Sequence, residues 1–198
     1  MASYSIKRNL NYMVKTFYRP KSLISGLLNE DLLLYYAIVP LIMFTGFYEV
    51  LYILSFISNQ PILFQNFLYF ITSSLEQYHL IQVIIFPIVH LIDYFIFYFF
   101  LLIISKCLKN YNIDSKRIAL LGMFSWNTIG ILAAIIDLIS FFWPWEYWMF
   151  IHPICGIIGT LYGMEIIHQQ SEINKWKAFF IYLIPFIVFL SFRMLFLG

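Results

Sequence analysis

Charged residues are scarce in this chain, and their scarcity excludes an ordinary globular protein. Only 11% of the 198 residues are Asp, Glu, Lys or Arg, against about 25% in a typical soluble domain. Lys and Arg form no run of the kind that binds nucleic acid, so we expect no nucleic-acid partner. We find no phosphate-binding glycine loop and no nucleophile elbow. With 62% hydrophobic residues, the composition predicts an integral membrane protein.

Cysteine is also scarce. Cys107 and Cys155 are the two cysteines, and they fall near opposite ends of different apolar segments. Because a disulfide needs Cα atoms within about 7 Å, we expect two free thiols. The N-terminus lacks the apolar core and small-residue cleavage site of a signal peptide, so we expect it to stay on the protein.

Five long apolar segments are present, none shorter than the roughly 20 residues that a helix needs to cross the hydrocarbon core. They run over residues 32–58, 79–105, 118–142, 147–168 and 177–197. They leave almost no residues for a separate soluble domain. The sequence therefore predicts an all-α, multi-pass membrane bundle of five transmembrane helices, with residues 1–198 as a single transmembrane domain.

Lys and Arg alternate along the chain in a way that orients the predicted spans. Five precede the first span, none lies in 59–78, four lie in 106–117 and none lies in 143–146. The connection before the last span carries Lys175 and Lys177. Because cytoplasmic loops are rich in Lys and Arg, we expect a cytoplasmic N-terminus and an outer C-terminus.

Interfacial helices are expected outside the spans. Residues 1–31 are predicted to form a cytoplasmic lead-in, which Pro20 divides into two short helices. We expect the lead-in to place apolar residues in the headgroup layer, namely Met13, Phe17, Leu23 and Leu27. Its cations are expected to contact anionic lipid, namely Lys15, Arg19 and Lys21. A second interfacial helix is expected near Pro61, with Phe64, Phe67, Leu68 and Ile71 at helical spacing.

Acids and histidines occur inside the predicted spans, where each costs a few kcal/mol and is a candidate functional residue. The candidates in the outer half of the predicted bundle are Glu49, His90, Asp93, Asp137 and His152. At a rise of about 1.5 Å per residue, four of them fall roughly 8 to 16 Å below the outer boundary, and Asp93 falls about one turn deeper. Two histidines with carboxylates would suit zinc or iron, and His90 and Asp93 share a helix face. The alternative is an internal hydrogen-bonded cluster that sets how the helices pack.

The fourth apolar segment carries glycines at close spacing. Gly156, Gly159 and Gly163 follow one another at three and four residues, and GTLYG is a G-x-x-x-G motif. Small residues on one helix face let a neighbouring helix approach closely, so we expect these glycines to pack against another helix.

The whole pattern resembles the Yip (Ypt-interacting protein) family of five-span membrane proteins. The similar stretches are the lead-in FYRPKSLISGLLNED, the basic link KCLKNYNIDSKR and the glycine-rich fourth span with its following turn IHQQSEINKWKA. The resemblance implies a compact, prokaryote-like member with a non-enzymatic role in organising membranes or binding partners. Expected partners are the lipid bilayer and either another membrane protein or a second copy of the chain.

Two other functions stay open on the sequence alone. One is an intramembrane metal-dependent enzyme, hydrolytic and acting on lipid, in which the five acids and histidines supply the metal ligands and a general base. The other is translocation of ions or protons through the same acids. The lack of an internal repeat disfavours the common transporter architecture.

Overall fold

The computed structural model describes residues 5–31, 33–58, 70, 72–107, 114–143 and 150–196, and these form seven α-helices. Within this part of the chain there is no β-strand. The helices are α1 (Ile6–Tyr18), α2 (Pro20–Leu28), α3 (Leu33–Ser58), α4 (Leu75–Cys107), α5 (Ser115–Phe142), α6 (Ile151–Ser171) and α7 (Lys175–Phe196). The predicted all-α class is confirmed. The described part of each of the five predicted apolar segments lies in one long helix, α3 to α7.

Local sequence explains where the helices begin and end. The side chain of Ser5 accepts a hydrogen bond from the backbone N–H of Arg8 at the start of α1. Pro20 disfavours helical geometry at the preceding residue and then occupies the first position of α2, which separates the two lead-in helices. The carboxylate of Asp114 accepts a hydrogen bond from the N–H of Arg117 at 3.0 Å and caps α5.

The turn between α6 and α7 uses a left-handed residue. Glu172 has a φ of 57°, and its N–H bonds to the carbonyl of His168, which closes α6. The side chain of Asn174 then accepts a hydrogen bond from the N–H of Trp176 at 2.9 Å and starts α7. This connection brings α6 and α7 side by side as antiparallel neighbours.

Helix α5 is the centre of the bundle. It packs against α3, α4 and α6, and against both lead-in helices. Its small residues allow this close packing: a Cβ added at Gly130 would lie 2.8 Å from the ring of Phe44 on α3. Helices α3 and α5 are each long and apolar enough to cross a bilayer. Both cysteines are free thiols, as expected.

The lead-in differs from the sequence prediction. Met13, Leu23 and Leu27 do not face outward, because they are buried in the main hydrophobic core. Only Phe17 of the four apolar residues expected in the headgroup layer is exposed. The lead-in therefore packs beneath the bundle as part of it. The helix expected near Pro61, with Phe64, Phe67, Leu68 and Ile71, lies outside the described residues.

Candidate functional site

Two of the five predicted acids and histidines meet between neighbouring helices. The carboxylate of Asp137, near the end of α5, lies 2.9 Å through its Oδ1 from Nε2 of His152, in the first turn of α6. The Asp137 side chain is 11% exposed and that of His152 is 31% exposed. Because the imidazole is the more open group, His152 connects a nearly buried carboxylate with the surroundings of the bundle.

A third helix completes this site. The hydroxyl of Tyr48 on α3 donates a hydrogen bond of 2.7 Å to Oδ2 of Asp137. The Tyr48 ring is held edge-on against Phe44 and lies 5.2 Å from the ring of Phe86 on α4. Both carboxylate oxygens of Asp137 thus have a partner, one from α3 and one from α6. We call Tyr48, Asp137 and His152 the carboxylate triad.

Of the remaining predicted members, Glu49 is the one whose side chain is described, and it has no hydrogen bond to the triad among the described residues. Glu49 follows Tyr48, so its side chain leaves α3 about 100° further round the helix. Its Oε1 atom is buried without a hydrogen-bond partner. The side chains of His90 and Asp93 lie outside the described part. Among the side chains that are described, no three His, Cys, Asp or Glu residues form a group that could hold a metal ion.

The chemistry of the carboxylate triad differs from that of a metal centre. A carboxylate between a phenol and an imidazole can hold a proton on either side and can link three helices at one point. Hydrogen bonds to a carboxylate are stronger than neutral ones, at about 1.5 to 3 kcal/mol each. The arrangement therefore fits the hydrogen-bonded alternative that the sequence left open.

A fully buried histidine was missed by the sequence analysis. His79, on the second turn of α4, has no exposed surface, and neither ring nitrogen has a hydrogen-bond partner among the described residues. Ser55 on α3 is also fully buried, and its hydroxyl oxygen likewise lacks a partner. His79 is the first residue of the predicted second span. Its three-residue spacing from the buried Gln82 is the signal that could have found it.

A second polar cluster lies at the opposite end of the bundle, where α1 is attached. The guanidinium of Arg8 lies 2.6 Å from Oε1 of Glu30, and the hydroxyl of Tyr12 donates to the same oxygen at 2.6 Å. Arg117 of α5 donates to the backbone carbonyl of Glu30 at 3.0 Å. Burial, and then the hydrogen bond to Glu30, raise the pKa of Tyr12 above its ordinary value near 10. We call Arg8, Tyr12 and Glu30 the Glu30 cluster.

Of the cations expected to contact lipid, Lys15 lies against the Glu30 cluster. Arg19 and Lys21 are exposed, whereas Lys15 is only partly exposed. The Lys15 ammonium lies 5.7 Å from the centroid of the Tyr12 ring, and the Arg19 guanidinium lies 5.6 Å from that of Tyr18. All three cations belong to the lead-in, and Arg19 and Lys21 are accessible to a ligand or a lipid headgroup.

The glycines of α6 receive aromatic rings from the helices on either side. A Cβ added at Gly159 would lie 2.6 Å from Cε3 of Trp126 on α5. A Cβ at Gly163 would overlap the ring of Tyr182 on α7. Gly156 is looser, because its added Cβ would lie 3.9 Å from Phe186. On this glycine face, aromatic rings of the neighbouring helices therefore pack directly against the backbone of α6.

Comparison with known proteins gives no indication of function beyond these residues. No family model, curated protein or solved structure matches the chain.

Proposed function

We propose that this chain is a five-span integral membrane protein with a non-enzymatic role in organising membranes or binding partners, as its resemblance to the Yip family implies. The cytoplasmic lead-in and the glycine-packed helices α6 and α7 are the parts that carry this role. The proposal rests on one observation, which is that the long helices expose large apolar side chains on their outward faces.

The outward faces of the long helices are apolar. Large aliphatic and aromatic side chains are exposed on α3, α4, α5, α6 and α7 alike. Examples are Ile42 and Ile53, Ile84 and Ile88, Leu132 and Ile139, Ile157 and Leu161, and Phe180 and Ile184. Soluble monomers rarely expose contiguous apolar patches larger than a few hundred Å². A surface that is apolar on five helices supports lipid as the surrounding medium.

Two polar side chains that lie in the interior are satisfied within their own helix. On α5, the amide of Asn127 donates to the carbonyl of Met123 at 2.8 Å, and the hydroxyl of Thr128 donates to that of Phe124 at 2.7 Å. Asn127 and Thr128 are both buried. A side chain that bonds the carbonyl four residues back on its own helix is satisfied without water. This is what a helix needs inside a bilayer.

The orientation belongs to the same proposal. The Lys and Arg residues of the lead-in, of 106–117 and of the α6–α7 turn lie on the cytoplasmic side, and the C-terminus lies outside. In this orientation the carboxylate triad faces the outer half of the membrane, and the Glu30 cluster faces the cytoplasm. The ion pair between Lys175 and Glu165, at 3.3 Å, then holds the cytoplasmic end of α6.

An intramembrane metal-dependent enzyme is the second candidate, because two of its predicted ligands, Asp137 and His152, lie next to each other. The two functions differ in metal content. We expect wild-type protein purified in detergent to carry no stoichiometric zinc or iron, and His152→Ala to lower its melting temperature without changing its metal content. The destabilisation follows because the Asp137 carboxylate loses one of its two partners.

The contrary result is equally specific. Stoichiometric zinc or iron in the wild type, lost in His152→Ala, would replace the organising role with the enzyme. Trp126→Phe provides a matched control, since it alters a partly buried residue of α5 away from the triad. Loss of metal in this control as well would indicate general unfolding, and the His90→Ala variant would then identify the ligand set.

A further inference from the structure

Helix α1 has three distinct faces. One is buried against the bundle and consists of Asn9, Tyr12, Met13 and Thr16. The second is an exposed apolar stripe of Ile6, Leu10, Val14 and Phe17, which are 65%, 45%, 59% and 56% exposed. The third is polar and includes Lys7 and Asn11, which are exposed. Spacings of three and four residues place the stripe along one line of the helix.

The order of these faces is informative. At about 100° per residue, the stripe lies next to the buried face, and the polar face lies opposite the pair of them. A helix lying in a membrane surface beside a bundle needs this order. It turns one side to the protein, the adjoining side to the lipid and the remaining side to water.

The rotation of α1 about its axis is held by hydrogen bonds. The amide of Asn9 donates to the carbonyl of Tyr36 on α3 at 3.1 Å. The hydroxyl of Tyr162 on α6 donates to the carbonyl of Thr16. Together with the Glu30 cluster, these contacts tie both ends of the helix to the bundle. The stripe is therefore presented in one direction before any ligand arrives, which lowers the entropic cost of binding.

Charge indicates the occupant. Helix α1 contains no acidic residue, and Lys7, Arg8 and Lys15 lie on its polar side. Arg19 and Lys21 follow directly and are exposed. An apolar stripe on a helix that carries cations and no acid complements an anionic leaflet, in which acyl chains lie behind negative headgroups.

We propose that the stripe Ile6, Leu10, Val14 and Phe17 inserts into the headgroup region of an anionic leaflet, with Lys7, Arg19 and Lys21 contacting lipid phosphates. This inference rests on the proposed membrane embedding of α3 to α7. It replaces the apolar set expected from sequence, because Met13, Leu23 and Leu27 are occupied by the protein core. In this arrangement the lead-in is fixed to the bundle and its stripe is inserted into one leaflet, and we call this inserted stripe the wedge.

The test measures the depth of single spin labels in full-length protein reconstituted into vesicles. In a Cys107→Ser, Cys155→Ala background, labels are attached at Leu10→Cys and, as a matched control one residue away, at Asn11→Cys. We expect the Leu10 label to be accessible to oxygen and protected from a water-soluble nickel complex, and the Asn11 label to show the reverse. The difference should be larger in phosphatidylcholine vesicles that contain phosphatidylserine than in phosphatidylcholine alone.

A third label, at Ile42→Cys on α3, separates this inference from the proposed function. If Ile42 lies in lipid but Leu10 is open to the nickel complex, the wedge is wrong and the embedded bundle stands. A Leu10 label protected from both reagents would mean that a protein covers the stripe, either a second copy or a partner, and would also overturn the lipid assignment. If the Ile42 label is open to the nickel complex, the membrane proposal fails together with the wedge.

Discussion

Adding a single methyl group at Gly159 should disrupt the contact between α5 and α6. The Cβ of Gly159→Ala would lie 2.6 Å and 2.7 Å from two ring atoms of Trp126, well inside van der Waals contact. The Trp126 ring cannot retreat freely, because it packs edge-on against Phe186 on α7 at 5.4 Å. The clash must therefore be relieved by a shift of the ring or of the helices, and overpacking of this kind costs about 1 to 3 kcal/mol.

Gly156→Ala is the matched control for this change. It lies one turn earlier on the same helix, where the added Cβ would meet Phe186 at an ordinary 3.9 Å. Both substitutions gain the same helix propensity, about 1 kcal/mol for Gly to Ala. The difference between the two variants therefore isolates the clash. We expect Gly159→Ala to be less stable than Gly156→Ala by about 1 to 3 kcal/mol.

Thermal unfolding in detergent, followed by circular dichroism, measures this difference. For a chain of this length, the expected gap is roughly 2 to 12 °C in Tm. Gly46→Ala on α3, with no atom within 4 Å of the added Cβ, should melt at or above the wild-type temperature. Equal melting of the Gly159 and Gly156 variants would refute the ring-on-glycine contact, and the glycine face would then border lipid or a cavity.

Two further predictions concern the polar clusters. The folded protein holds the Tyr12 proton more tightly than the unfolded chain does, so the unfolding free energy should fall as the pH rises above 10. The contribution of Tyr12 to this fall is at most about 1.4 kcal/mol per pH unit, and Tyr12→Phe should remove it. A slope of unfolding free energy against pH that is the same in wild type and variant would contradict this. Tyr48→Phe should lower the unfolding free energy by about 1 to 3 kcal/mol through loss of the hydrogen bond to Asp137, and combining it with His152→Ala should give a non-additive result in a double-mutant cycle. Additive effects would mean that the triad does not act as a unit.

Much of the helical architecture could be predicted from sequence, because long apolar runs bounded by polar and Lys-rich links are a strong local signal. The contact between Asp137 and His152 was also within reach, since both fall at a similar distance from the ends of adjacent segments. Tyr48 was not: a tyrosine in an aromatic-rich chain of 15 tyrosines carries no signal of its own. Its role depends on which face of α3 meets α5, and that is a property of the packed bundle.

The lead-in shows a different limit of sequence analysis. Helix α1 carries large apolar side chains both on its stripe and on its buried face, and spacing alone does not say which of them meet protein. Met13 and Leu10 have the same type of side chain, yet the first is buried and the second exposed. Hydrogen bonds to distant residues make the distinction. The carbonyl of Tyr36 accepts one from Asn9, and the carboxylate of Glu30 accepts one from Tyr12. Such tertiary contacts leave no periodic trace in the lead-in itself.

Side-specific labelling of single cysteines in sealed vesicles tests the central claim most directly. A membrane-impermeant maleimide is applied to the native, exposed Cys107 and to Ser22→Cys, Ser73→Cys, Trp143→Cys and Lys177→Cys, each in a background without other cysteines. The five-span account predicts that positions 22, 107 and 177 react on the cytoplasmic side and positions 73 and 143 on the outer side. Reaction of positions 73 and 107 on the same side would show that α4 does not cross the membrane, and would contradict the account.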